Sequence, residues 1–214
     1  MKASSLLSLI LAVALVIVCG RMAFSGKSSA DDKAQADTAV NVALDNIMAR
    51  ASVRSYTAQE VPDSLVTLLL KAGMAAPSAK DMRPWRFVAV TDKDQLTALS
   101  KANPYAAPVA KAPLVIVVCG DMRKAMEGEG RDNWILDTSA ASENILLAAH
   151  ALGLGAVWTG VYPVKKRVDA VSRVLELPQE VVPLCAIAIG YPDGKVTPKD
   201  KWDEDNVSYD AYDE

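Results

Sequence analysis

Apolar positions along this chain switch between two periods. Val40, Leu44, Ile47 and Met48 recur at the i, i+4, i+7, i+8 spacing of an amphipathic helix, which predicts a helix over Thr38–Ala51. A second helix is predicted over Pro62–Met74, with Pro62 tolerated in the first turn, where its missing N–H has no helical partner. Four short apolar runs, Trp85–Thr91, Leu114–Cys119, Ala156–Trp158 and Val181–Ile189, read as buried strands. Helical stretches near Lys93–Lys101, Asn133–Leu152 and Val164–Leu175 lie between them. Alternation of this kind gives an α+β (α/β layered) domain and excludes a sandwich or a bundle. The Asn133–Leu152 helix would run about 30 Å at about 1.5 Å per residue. Ala140, Ala141, Ala148 and Ala149 keep its surface thin. Such a helix suits burial within one subunit or close pairing with a second copy, and periodicity does not separate the two.

The start of the chain has a different character. Leu6 to Cys19 is an almost unbroken apolar run preceded by Lys2. It is shorter than the roughly 20 residues of a membrane span and fits the apolar region of an export signal. Small residues at Ala23-Phe24-Ser25 and Ser28-Ser29-Ala30 offer cleavage-like spacing. The expectation is therefore a signal peptide or membrane anchor over residues 1–30, a linker over 31–37 and a folded domain over 38–214. Export to the periplasm or envelope follows, by cleavage, by retention as an anchor, or by lipidation at Cys19, although Val18 stands where a small residue normally precedes a lipidated cysteine. A helix buried in the fold is the alternative.

Composition narrows the function classes. The 214 residues, 51% hydrophobic, suit one domain with a sizeable core. Beyond residue 30 the chain carries 20 basic and 26 acidic side chains, which gives no footprint for nucleic acid. The acids gather from Asp203 to Glu214 as a solvated tail. Cys119 and Cys185 each fall in a strand run and read as small core residues. No CxxC or Cys/His cluster points to a metal. His150, near the end of the long helix, suits capping or packing, and Asp137 and Glu143 on the same helix suit structural polar roles.

Three separated segments share one chemistry. Arg50-Ala51-Ser52-Val53-Arg54 offers two guanidinium groups and a hydroxyl, enough to grip a phosphate. Ala76-Pro77-Ser78 through Asp81, Arg83, Pro84 and Trp85 is a Pro-stiffened polar turn opening into a strand. Gly153-Leu154-Gly155-Ala156-Val157-Trp158-Thr159-Gly160 ends the Ala-rich helix in a Gly-containing loop that a flat ring can approach. Read alone, each is also an ordinary solvated face or turn. Together, a phosphate grip, a polar linker and a planar-ring site describe flavin mononucleotide, FMN.

In this order the segments resemble the FMN-dependent nitroreductase family, and the matching stretches run from about Val42 to about Lys201. Ile189-Gly190-Tyr191-Pro192 followed by Lys199 and Lys201 matches the family's C-terminal end. The resemblance implies a mixed sheet flanked by helices in an intertwined homodimer, with the long helix in the central pair and FMN at the interface. By the same resemblance, Arg50, Ser52 and Arg54 serve the phosphate and ribityl chain, and Lys199 and Lys201 return to the phosphate. Pro77 and Ser78 border the ring from the partner subunit, and Thr159 and Gly160 present backbone N–H groups to its reactive edge. Asp81 and Arg83 stand where many members have Asn and Gln. An ionised Asp accepts but cannot donate, so this pair changes the charge beside the ring. The implied activity is transfer of electrons from NAD(P)H to a planar electron-poor acceptor, a nitroaromatic or quinone, with no catalytic side chain beyond the flavin. The rival, favoured by the export-like start, is an envelope flavin-binding electron relay without a small-molecule substrate. The short Glu127-Gly128-Glu129-Gly130 region does not choose among acceptors.

Overall fold

A computed structural model describes residues 42–212. The export-like segment, the linker and the first residues of the Thr38–Ala51 helix lie outside the described residues. Residues 42–49 are helical (α1). The chain divides between Ile47 and Met48, and the fold below is that of the unit beginning at Met48.

Each remaining sequence-predicted element is present within one or two residues of its expected ends. The helices are α2 (Asp63–Met74), α3 (Lys93–Ala102), α4 (Asn133–Ala151) and α5 (Lys165–Val174). The strands are β1 (Trp85–Val90), β2 (Leu114–Asp121), β3 (Gly155–Gly160) and β4 (Val181–Gly190). Pro62 caps α2 with an extended backbone, and the Asp92 carboxylate caps α3 by accepting from the Asp94 and Gln95 N–H groups.

The sheet runs β1-β2-β4-β3, and all three ladders are antiparallel. Its parallel element is an isolated bridge from Ser52 to Ala156 on the outer edge of β3. Both faces of the sheet are covered. Leu114, Ile116 and Val118 of β2 pack into the layer holding Leu69 of α2 and Ile145 of α4. Val115, Val117 and Cys119 turn the other way, into the layer with Leu96 of α3 and Val171 of α5. A strand buried on both faces reads as an unbroken apolar run, which is why the alternation was hidden.

The bulge between Val118 and Cys119 offsets the register against β4. Cys119 lies in the α3/α5 layer and Cys185 in the α2/α4 layer, and both are free thiols. Burial pushes each of these thiols up to about 12. The expectation that both are core residues holds.

Asp121 ends β2 with its carboxylate 1% exposed. Arg123 bonds it through Nε and Nη2 at 2.8 Å each, and Arg86 Nε reaches it at 3.1 Å. The Arg123 hydrogen bond is the largest influence, and it holds this carboxyl at about 2 against the burial that opposes it. The folded value lies below the unfolded one. The contribution is therefore complete above about pH 4 and lost as pH falls toward about 2. It is on the order of 2 kcal/mol. Urea unfolding from neutral to acid pH should show a shallower acid loss in Asp121→Asn than in the parent chain. Equal acid slopes would rule out this ion pair as the cause.

Candidate active site

The turn from α4 into β3 places the third segment. Gly153, at φ +74°, lies just past the end of α4. Its N–H bonds to His150 O and that of Leu154 to Ala149 O, the paired bonds of a Schellman motif. The chain then enters β3 at Gly155, where an added Cβ would sit 2.7 Å from Val53 side-chain atoms. Glycine there lets the first segment lie against the strand.

That segment follows the outer edge of β3. Val53 N donates to Ala156 O at 3.0 Å. The Tyr56 hydroxyl lies 2.6 Å from Val53 O and 3.0 Å from Ala188 O, pinning the segment across to β4. Burial pushes this phenol's pKa up. Thr57 N donates to Tyr191 O and Asp193 N to Ser55 O, so the chain leaving β4 folds back beside residues 55–57. Two adjoining cavities result. One, about 180 Å³, is lined by Arg50, Leu146, His150 and Leu154 among others. The second, about 210 Å³, is lined by Ser52, Arg54, Gly194 and Lys195 among others.

The cations differ in what they face. Arg50, 18% exposed, contacts Glu143 of α4 at 3.4 Å. Arg54 makes a long bond to Ser52 O and has no ion pair among the described residues. Lys195 joins it at the second cavity and was missed by sequence reasoning. The signal was the Pro192-Asp193-Gly194 turn, which sends the chain back toward Arg54. The cavity lining reaches Thr197, and Lys199 and Lys201 follow in an exposed, irregular stretch.

At the far end of β3 no strand lies beside the outer edge among the described residues. Val53 bonds Ala156 on the outer side, whereas Val161 N donates to Leu184 O on the inner side. Backbone direction alternates along an antiparallel ladder. Trp158 and Gly160 therefore face outward with Ala156, while Thr159 faces β4 and its buried hydroxyl donates to Ala186 O at 2.7 Å. Of the expected pair, Gly160 presents the outward N–H. An added Cβ there would meet nothing within 4 Å. From Ala156 to Gly160 the edge runs about 13 Å at about 3.3 Å per residue.

Pro77, Ser78, Asp81 and Arg83 form a separate loop. Asp137 of α4 accepts from Ala79 N at 2.8 Å, and Ser78 Oγ accepts from Arg83 N at 3.0 Å. Lys80, Asp81 and Arg83 all have left-handed backbones, with φ of 50°, 56° and 49°. Each such residue costs on the order of 1 kcal/mol, and these bonds hold the loop against that strain. Arg83 grips both Asp81 oxygens at 2.6 Å, which lowers the pKa of that carboxyl. The carboxylate is thus matched by a neighbouring cation and does not cap the loop backbone. Asp137 and His150, which mark the loop and the first cavity, stand about 20 Å apart along α4 at about 1.5 Å per residue. Within one chain the two halves of the expected site occupy opposite ends of this helix.

The family model for the nitroreductase family matches residues 47–111 and 100–191, most of the chain. The chain belongs to the nitroreductase family. A protein of Methanothermobacter thermautotrophicus, provisionally assigned as an NADH dehydrogenase/NAD(P)H nitroreductase, is 42% identical over 79% of this chain and 87% of its own length. A crystal structure from Bacteroides thetaiotaomicron with the same provisional assignment is 46% identical, with a TM-score of 0.76 over 80% of this chain and 99% of that one. An FMN-dependent nitroreductase of Clostridium difficile is 31% identical, with a TM-score of 0.73 over 79% and 99%. Nitroreductase relatives thus share this fold over about four fifths of the chain. Among the described residues no metal-binding cluster occurs, and no helix is long and apolar enough to cross a membrane.

Proposed function

We propose that this chain is an FMN-dependent NAD(P)H oxidoreductase of the nitroreductase type, acting on a planar electron-poor acceptor such as a quinone or nitroaromatic. The observation that carries the reading is the edge of β3. It has Arg54, without an ion pair among the described residues, and Lys195 near one end and the outward Gly160 N–H at the other. A ligand with an anionic group at one end and a flat polar ring at the other fits that edge. Arg50, Ser52, Arg54 and Lys195 would hold the phosphate and ribityl oxygens, and Lys199 and Lys201 would add charge from the tail. FMN, when bound, supplies the hydride-accepting chemistry, and the protein's part is to bind, orient and polarise. The Gly160 N–H would face the reactive edge of the ring, beside Thr159.

Pro77, Ser78, Asp81 and Arg83 would complete the site from a second copy, because their own loop lies at the other end of α4. Leu68, Met74 and Leu136, apolar and exposed on α2 and α4, support a homodimer joined through that helical layer. Sedimentation at micromolar concentration should give a flavin-loaded dimer, and a flavin-loaded monomer would sink this assembly.

Purified protein should be yellow and should oxidise NAD(P)H in the steady state when a quinone is added. A yellow protein reduced by light but inert to NAD(P)H would favour the second reading, an electron relay at the envelope. That reading rests on the Leu6–Cys19 run, which also carries the proposal of export or membrane anchoring.

A further inference from the structure

We infer that Asn103 is a positioning residue for the reactive end of this site, fixing the Gly160 backbone at the open edge of β3, with Arg167 as a second support. The inference rests on the FMN reading above. Asn103 follows α3, is 2% exposed and has left the helical conformation. Its Nδ2 donates to Gly160 O at 2.9 Å, and its Oδ1 accepts from Tyr105 N at 3.1 Å. Both halves of the amide are therefore used, one on its own loop and one on a strand 57 residues away. The loop holding it is braced in turn. Ala106 N donates to Asn103 O, and the Ser100 hydroxyl donates to Ala106 O.

Gly160 needs such a brace. It has no side chain to restrict its dihedrals, and the ladder ends beside it, with Val161 and Tyr162 both donating to Leu184 O. In an extended residue the N–H and C=O point to the same side. A donor holding the Gly160 carbonyl outward thus restrains its N–H outward as well. Arg167 of α5 approaches the same oxygen at a longer 3.4 Å, with its guanidinium 5.1 Å from the Tyr105 ring centroid. Asn103 makes the shorter bond and Arg167 assists.

Asn103→Asp tests this with little change of shape. The carboxylate still accepts from Tyr105 N, but it offers no donor to Gly160 O and repels it. FMN affinity should stay within about threefold, since the phosphate grip is untouched. The visible flavin bands should shift, reduction by NAD(P)H should slow at least tenfold, and the Gly160 amide should exchange faster with solvent. Arg167→Met, at the partner making the longer bond, should change the same readouts in the same direction but less, and it serves if Asn103→Asp does not fold. A folded, FMN-loaded Asn103→Asp with unchanged bands, exchange and reduction rate would overturn the inference. So would a loss of FMN affinity as large as the loss of rate, which would make Asn103 a general support of the fold. A parent protein that binds no FMN would sink the cofactor reading instead, and exchange of the neighbouring Val161 amide, which donates to Leu184 O, would still decide whether Asn103 braces the strand.

Discussion

Arg54→Ala should bind FMN at least tenfold more weakly than the parent, with the thermal midpoint of the FMN-free protein nearly unchanged. Arg54 is exposed and faces no carboxylate among the described residues, so its removal strands no buried partner. A charge-assisted hydrogen bond to a phosphate is worth about 1.5–3 kcal/mol. At about 1.4 kcal/mol per decade this is roughly ten- to a hundredfold in affinity. Arg54→Lys should recover part of the loss, because the charge stays while the two-pronged fork goes. Flavin fluorescence titration beside a melting curve reads both quantities. Unchanged affinity in Arg54→Ala would place the phosphate elsewhere. Arg50→Ala is a less clean test, because that side chain is largely buried and contacts Glu143.

Gly155→Val should damage stability and cofactor binding together. A single Cβ at this position would already lie 2.7 Å from Val53 atoms, and the contacts include Val53 Cβ, which cannot swing aside. Two further methyl groups would force the Ser52–Arg54 backbone off the strand. The Val53-to-Ala156 hydrogen bond would go with it. Overpacking of this kind costs about 1–3 kcal/mol. FMN affinity should fall even in molecules that remain folded, because Ser52 and Arg54 move with Val53. Gly153→Ala is the control. It carries the left-handed penalty of about 1–2 kcal/mol, but it would meet no neighbour within 4 Å and leaves the first segment seated. If Gly155→Val folds and binds FMN normally, the close approach at this edge has no functional weight.

Much of the fold was legible because its elements announce themselves locally. The apolar runs of β1, β2, β3 and β4 are short and bounded, and the Leu152-Gly153-Leu154 stop of α4 follows from glycine's access to the left-handed region. The strand order was not legible, since it depends on which runs meet across the sheet. Nor did anything local mark residues 50–56 as an edge companion of β3. That segment is polar, and what binds it is a backbone pairing with Ala156 and the Tyr56 hydroxyl. Of the expected site residues, Arg50 lines the first cavity, and Ser52 and Arg54 line the adjoining second one. Lys195 escaped notice because only the return of the chain after β4 brings it to Arg54. The left-handed run at Lys80, Asp81 and Arg83 was equally hidden, since none of these residues is glycine. Asp137 and Glu143 proved structural in kind, anchoring Ala79 and meeting Arg50.

The half-covered edge of β3 has a colloidal consequence. The Arg50–Tyr56 segment shields its beginning, but among the described residues no strand lies beside the outward backbone groups at Trp158 and the Gly160 N–H. An open edge of this kind is a template for pairing with another molecule. In this fold the template and the proposed ring site are the same few atoms. Cofactor loading and self-association then compete for one strip of backbone, so an apoprotein stock should be more prone to clumping than a yellow one.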